Sequence, residues 1–394
     1  MADDFPLLFS PLRLRRRELP NRLVFPAVGT NYATPDGQVT PSLVEYYARR
    51  ARGGVGTVVA ECASVSAHGR LGRLQLGVWD DSQIPGLRQV ADGIRREGAI
   101  ALLQLTHGGA KVLPHMDEAP VAPSTVRLGA RRPRALSREE IRALQRDYLA
   151  AAQRALAAGF DGVEVHACHL HLISQFVSPY TNKREDEYGG SVANRARFLL
   201  ELIRLLRAEL GDDFLLFCRI NGYELYEGGL QVDEAVATAK LLAGEAIDAL
   251  SVSALSQFLT FTFEGNTFRY PTSVPAKEAP EGCNTVYAAF IKQGVDTPVV
   301  AAGKVLNLGF AERLLSEGKA DLVAMARALI ADPELPAKAR RGEPFNRCIE
   351  CNACIKMAAV KDLPIGCPVN PEFRRYREFQ QRGAEAWLDQ ASEG

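Results

Sequence analysis

The chain has 394 residues, 47% hydrophobic and 8% aromatic, and its 47 Lys plus Arg balance 47 Asp plus Glu. Neither nucleic acid nor an anionic membrane surface is favoured by such a balance, and no stretch of about 18 consecutive apolar residues offers a membrane span. The N-terminus, MADDFPLLFSPLRLRRRELP, puts acids first, arginines later and no long apolar run between them, so no secretory signal is expected and a cytoplasmic location is.

Short β-branched runs recur at 22–28, 56–65, 99–107, 162–167, 214–220, 249–254, 297–303 and 321–327. Between them, stretches such as LVEYYARRA, REEIRALQRDYLAAAQRALAAG and NRARFLLELIRLLRAELG space apolar residues by three and four, the helical period. Strand then helix, eight times, with strands apolar along their length, predicts an α/β chain folded as a closed (β/α)8 barrel of TIM type. A doubly wound sheet is disfavoured because no G-x-G-x-x-G leads from a strand into a helix; GGVGTVV at 53–59 precedes a strand. Long polar connections at 108–136, 168–193 and 255–284 fall on the C-terminal face, where barrel active sites sit. The repeat ends near residue 333, which predicts a barrel over 1–340 and a cysteine-bearing extension over 341–394, its charged tail either helical or disordered.

Four of the eight cysteines crowd into that extension, as CIECNACIKMAAVKDLPIGCP. The spacing C-x2-C-x2-C-x12-C of Cys348, Cys351, Cys354 and Cys367, ending in Cys-Pro, suits a [4Fe-4S] cubane. Structural zinc is the alternative, disfavoured because zinc usually takes two C-x2-C knuckles. Cys62, Cys168, Cys218 and Cys283 are scattered and read as small apolar residues. His166, His169 and His171 follow the fourth strand, at the barrel mouth. Hydrogen bonding to a substrate oxygen is the favoured reading for them, and metal ligation the alternative. AAGKV at 301–305 and MARAL at 325–329 close the seventh and eighth strands, where Gly303 and Arg327 point to a phosphate. Gln104 and Arg219, also at strand ends, suit a flat ring bearing carbonyls. The loop RLGARRPRALSR at 127–138 is either solvated charge or a contact for a CoA phosphate or acidic carrier.

These residues, together with ALLQLTHGG, GFDGVEVHACHLHLISQFVSPYTNKREDEYGGSVANRARF, PVVAAGKV and GCPVNP, resemble the old yellow enzyme family. The resemblance is to its iron–sulfur branch, which includes 2,4-dienoyl-CoA reductase and trimethylamine dehydrogenase, and it runs to about residue 371. It implies FMN across the barrel mouth, with the ring near Pro26, Ala27, Val28 and Cys62. Gln104 is then expected at the ring's pyrimidine side, Arg219 at its N1/O2 edge, and Gly303, Ala326 and Arg327 at the phosphate. His166 and His169 would hold the carbonyl of an activated C=C bond, in an enone or enoyl thioester, reduced by hydride from flavin. The tyrosine that commonly donates the proton is replaced by His171, which as a stronger acid could serve, with water as the alternative donor. The sixth-strand loop lacks the histidine expected of a dienoyl-CoA reductase. Relatives with this cysteine motif continue into nucleotide-binding domains, so electrons are expected from a separate reductase or carrier through the cluster, with NAD(P)H acting indirectly. Alternatives are a dehydrogenase or demethylase of a methylated amine, with a cage from Tyr32, Phe258, Phe261 and Tyr270, and a non-catalytic electron-transfer subunit. Expected partners are a small unsaturated substrate, a CoA thioester among the candidates, and further copies of the chain in a homo-oligomer.

Overall fold

Eight strands close into one parallel barrel in chain order: β1 (Leu23–Phe25), β2 (Thr57–Ser64), β3 (Ile100–Thr106), β4 (Gly162–Ala167), β5 (Leu215–Glu224), β6 (Ala249–Leu255), β7 (Val299–Ala302) and β8 (Leu322–Ala324), with β8 returning to β1. This computed structural model describes residues 4–112, 119–128, 131–263, 266–360 and 363–373, with the backbone alone at 258–263, 266–271, 359 and 360. The expected (β/α)8 architecture is the observed one. Helices α1 (Pro41–Arg52), α2 (Ile84–Arg95), α3 (Arg138–Ala157), α4 (Val192–Leu210), α5 (Val232–Ala243), α6 (Thr285–Lys292) and α7 (Leu308–Ser316) connect the strands, and α8 (Arg327–Ala331) and α9 (Leu335–Arg341) follow β8. Local chemistry sets the helix starts. Thr40, Ser137, Ser191 and Asn307 each accept a backbone N–H of the first turn, and Ser137 forms a capping box with Glu140.

Strand alternation divides the core into two layers. Val24, Val59, Leu102, Leu215, Phe217, Val300 and Leu322 fill the barrel interior, while their neighbours Leu23, Phe25, Val58, Ala60, Ala101 and Leu103 pack outward against the helices. Ile365 and Phe373 of the cysteine segment join that outer layer, so the segment shares the barrel's core. No helix among the described residues is long and apolar enough to cross a membrane.

Two hairpins were not foreseen in the sequence. Leu12–Leu14 pairs antiparallel with Arg17–Leu19, and Leu14 and Leu19 enter the inner apolar cluster. Arg15 bonds Asp248, and Arg17 Nη1 lies 2.8 Å from Asp161 Oδ1. Both aspartates immediately precede a strand, so the hairpin stands across the N-terminal end of the barrel. The second hairpin, Gln257–Phe263 with Asn266–Thr272, occupies much of the connection read as loop at 255–284.

His107, just after β3, is buried and accepts the Gly109 N–H on Nδ1 at 3.0 Å. Burial pushes its pKa down to about 4, so below the unfolded value of ~6.5 the unfolded chain binds a proton that the fold excludes. Its contribution is present above that value and is lost as pH falls towards the folded one. In His107→Gln the fall of stability between these limits should be shallower by about 1.4 kcal/mol per pH unit, read from denaturant midpoints; an unchanged slope would remove His107 as the cause.

Candidate functional site

The C-terminal ends of the strands open on a cavity of about 410 Å³. Pro26, Ala27 and Val28 line it from the end of β1, Cys62 from β2, Gln104 from β3 and Arg219 from β5. His166 comes from β4, His169 and His171 from the turn beyond it, Gly303 from the end of β7, and Ala326 and Arg327 from the end of β8. The structure thus brings together all twelve residues singled out for catalysis or cofactor binding. Of the four tail cysteines, Cys354 also reaches this wall.

Strand register builds a buried polar layer beneath the cavity. Gln104 pairs with Glu164 across β3 and β4, and Gln104 Nε2 donates to Glu164 Oε1 at 2.6 Å. Burial pushes the Glu164 carboxyl up, against the opposing charge of Arg219. Among the described residues, Arg219 Nε, Arg327 Nη2 and Asn284 Nδ2 are buried donors with no hydrogen-bond partner. A buried donor without an acceptor costs about 1–3 kcal/mol, so the two arginines, which line the cavity, fit a ligand bearing acceptors at both ends, as FMN does with its ring carbonyls and phosphate. Gly303 completes the cradle: its φ is +125°, and a Cβ there would lie 2.3 Å from Asn284 Cβ. Arg327→Met should therefore weaken FMN binding by about tenfold to a hundredfold, the loss of one or two charge-assisted bonds. Fluorescence titration of the apoprotein measures this, and equal affinities would place the phosphate elsewhere.

A left-handed turn presents the histidines. His169 and Leu170 have φ of +59° and +54°, and the His169 N–H donates to Asn221 Oδ1 at 3.1 Å. Thr106 Oγ1 lies 3.1 Å from His166 Nδ1 and 3.0 Å from His171 Nδ1. His166 Nε2 lies 3.2 Å from His169 Nδ1, and His169 Nε2 lies 2.7 Å from Ser253 Oγ. Burial first, and then nearby positive charge, holds all three imidazoles well below their ordinary value, hence neutral at pH 7. An oxygen that accepts from both rings needs the His166 Nε2–H and His169 Nδ1–H tautomers, which the Thr106 and Ser253 hydroxyls permit by donating to the outer nitrogens; with both protons in place the two nitrogens no longer bond each other. His171 is not the strong acid its residue type suggests, because burial keeps the imidazole neutral and a neutral imidazole has no readily lost proton. Among the described residues, His166, Cys168 and His169 are the one set of three whose possible ligand atoms lie within 4.8 Å of one another. The charges of Arg219 and Lys111 bear on all three residues and oppose a cation there.

The cysteine segment winds tightly because Glu350 and Asn352, one in each two-residue gap, take φ of +59° and +55°. The Glu350 N–H donates to Cys348 Sγ at 3.4 Å. Burial raises the thiols of Cys348, Cys354 and Cys367, and the other tail cysteines raise them further. Two side-chain links fasten this loop to the cavity. Lys304 Nζ meets the Glu350 carboxylate at 2.5 Å, and Arg327 Nη1 donates to Asn352 Oδ1 at 2.8 Å.

Several cavity residues went unrecognised in the sequence, among them Glu61, Lys111 and Ser253. Glu61 left a signal, a lone carboxylate inside the apolar run VVAECASV. Tyr32 does not join this cavity; it lines a separate groove of about 440 Å³ between α1 and the cysteine segment. The side chains of Phe258, Phe261 and Tyr270 lie outside the described residues. In the arginine-rich loop, Arg134 pairs with Glu140, and Arg138 with Glu187.

Residues 7–346 match the NADH:flavin oxidoreductase / NADH oxidase family. The chain is 38% identical over 389 residues to the NADH oxidase of Thermoanaerobacter brockii, covering 96% of this chain and 58% of that protein. Among solved structures, 2-naphthoyl-CoA reductase in complex with 2-naphthoyl-CoA superposes with a TM-score of 0.86 at 31% identity, over 94% of this chain and 57% of that one. Histamine dehydrogenase from Rhizobium sp. 4-9 superposes with a TM-score of 0.83 at 27% identity, over 94% and 53%. The chain therefore spans little more than half the length of these relatives. Barrel, cavity and sequence agree, and the chain belongs to the NADH:flavin oxidoreductase / NADH oxidase family, the FMN-dependent oxidoreductases of old yellow enzyme type.

Proposed function

We propose that this chain reduces a C=C bond conjugated to a carbonyl or thioester. The observation that carries this reading is the pair of neutral imidazoles, His166 buried and His169 half-buried, on the wall of a cavity that fits FMN. Bound FMN supplies two-electron hydride chemistry. Gln104 and Arg219 would hold its ring, and Gly303, Ala326 and Arg327 its phosphate, with Pro26, Ala27, Val28 and Cys62 along the ring. His166 and His169 then donate to the substrate carbonyl oxygen, and both bonds strengthen as that oxygen gains charge. His171 orients the pair through Thr106, and water supplies the proton to carbon. Lys111 and Arg219 line the cavity, and their positive charge weighs against a cationic amine. Likeness to 2-naphthoyl-CoA reductase supports an enoyl or aryl thioester as substrate.

Cys348, Cys351, Cys354 and Cys367 are assigned to a [4Fe-4S] cluster that would pass electrons to the flavin. A backbone N–H donated to Cys348 sulfur supports this, because such bonds stabilise thiolates and clusters. Anaerobic purification, iron and flavin analysis, and stepwise reduction test both assignments. Reduced flavin reoxidised by an enone establishes the reductase; bleaching of oxidised flavin by an amine, or zinc in place of iron, overturns the corresponding part.

A further inference from the structure

Glu61 is a carboxylic acid in the wall of the FMN cavity with no part in the chemistry above. It is 1% exposed and sits in β2 at an irregularity in the pairing with β3, between Ala60 and Ala63. Oε2 accepts the Thr30 N–H at 3.2 Å, the Thr30 hydroxyl, and the Tyr47 hydroxyl at 3.1 Å. Among the described residues no hydrogen bond ends on Oε1. The titratable groups that feel its charge are Tyr46 and Tyr47 of α1 and Cys62 of its own strand. No lysine or arginine figures among the groups acting on it. Glu164, one layer below, is by contrast opposed by Arg219.

We propose that Glu61 is the proton reservoir of the cavity, taking one proton from water when reduction of bound FMN adds charge beside it and returning that proton on reoxidation. This rests on FMN occupying the cavity and is independent of what the flavin reduces. Two electrons that arrive with one proton leave the cavity one negative charge richer. A buried carboxylate with no cation of its own answers that charge by protonation. Glu61 is poised to do so: burial pushes its pKa up to about 7, against the three hydrogen bonds that hold it down. Added negative charge moves it higher, so in a window above neutrality the carboxyl is ionised before reduction and protonated after it.

The test counts protons taken up per FMN during anaerobic reduction in weak buffer with an indicator dye. Wild type and Glu61→Gln are titrated with the same reductant, whose own protons cancel in the comparison. Wild type should take up as much as one proton more than Glu61→Gln at about pH 8, the excess closing below about pH 6, where the carboxyl is already protonated. Thr30→Val removes a donor that holds the pKa down, so its window should lie at higher pH than that of wild type. Equal counts in wild type and Glu61→Gln at every pH overturn the proposal. A downward move of the window in Thr30→Val does the same, and decides the matter if Glu61→Gln fails to fold. Flavin absorbance of each sample reports cofactor content separately, so a failure of the FMN assignment appears there and not as equal proton counts.

Discussion

His166→Ala is expected to slow hydride transfer to an enone by about 10²–10³-fold, while the purified variant keeps its flavin. This is the usual cost of removing one donor from a site that stabilises a developing oxyanion. The magnitude is expected because His166 is buried and neutral, with its outer nitrogen beside Thr106, so water cannot enter cheaply to replace it. Single-turnover reoxidation of reduced enzyme measures the effect without interference from the electron donor. His169→Asn should cost far less, because an amide still offers an N–H near the same place. An unchanged rate in His166→Ala would take that side chain out of the chemistry, and equal large losses in both variants would show that position 169 needs its imidazole and not merely an N–H.

The second large effect is expected at the cysteine segment. Cys354→Ala should reduce iron from about four atoms per chain to near zero, since a cubane missing a corner ligand is rarely retained, and flavin should remain. Cys354 is the informative position because its side chain also reaches the cavity wall. The variant is thus expected to lose electron entry through the segment while dithionite still reduces the flavin directly. Cys283→Ser, a half-buried position elsewhere in the barrel, is the control and should keep its iron. Iron retained in Cys354→Ala would break the assignment of the four thiols.

The barrel was legible because its strands are apolar runs of a length that only a sheet covered on both faces can use, and because the stretches between them space apolar residues by three and four. Site residues at strand ends, such as Gln104, Arg219 and His166, could be placed at the mouth from topology alone. What escaped depends on contacts between distant segments. Nothing in LRLRRREL announces a hairpin until Asp161 and Asp248 stand at the strand starts that its arginines reach. The neutrality of His171 comes from burial beside His166 and Thr106, which residue type alone does not reveal. Arg327 was read as a phosphate ligand, but its second role, holding Asn352 of the cysteine loop, needed the fold.

Among the described residues, the hairpin and the apolar side chains packed above it fill the N-terminal end of the barrel, which leaves the mouth at the C-terminal end as the doorway. A molecule that gives a hydride to the flavin and a molecule that takes one must use it in turn, and an excess of either visitor stands in the way of the other. Electrons entering at the wall that Cys354 lines, as proposed for the cysteine segment, would not join that queue and would leave the entrance free for the acceptor.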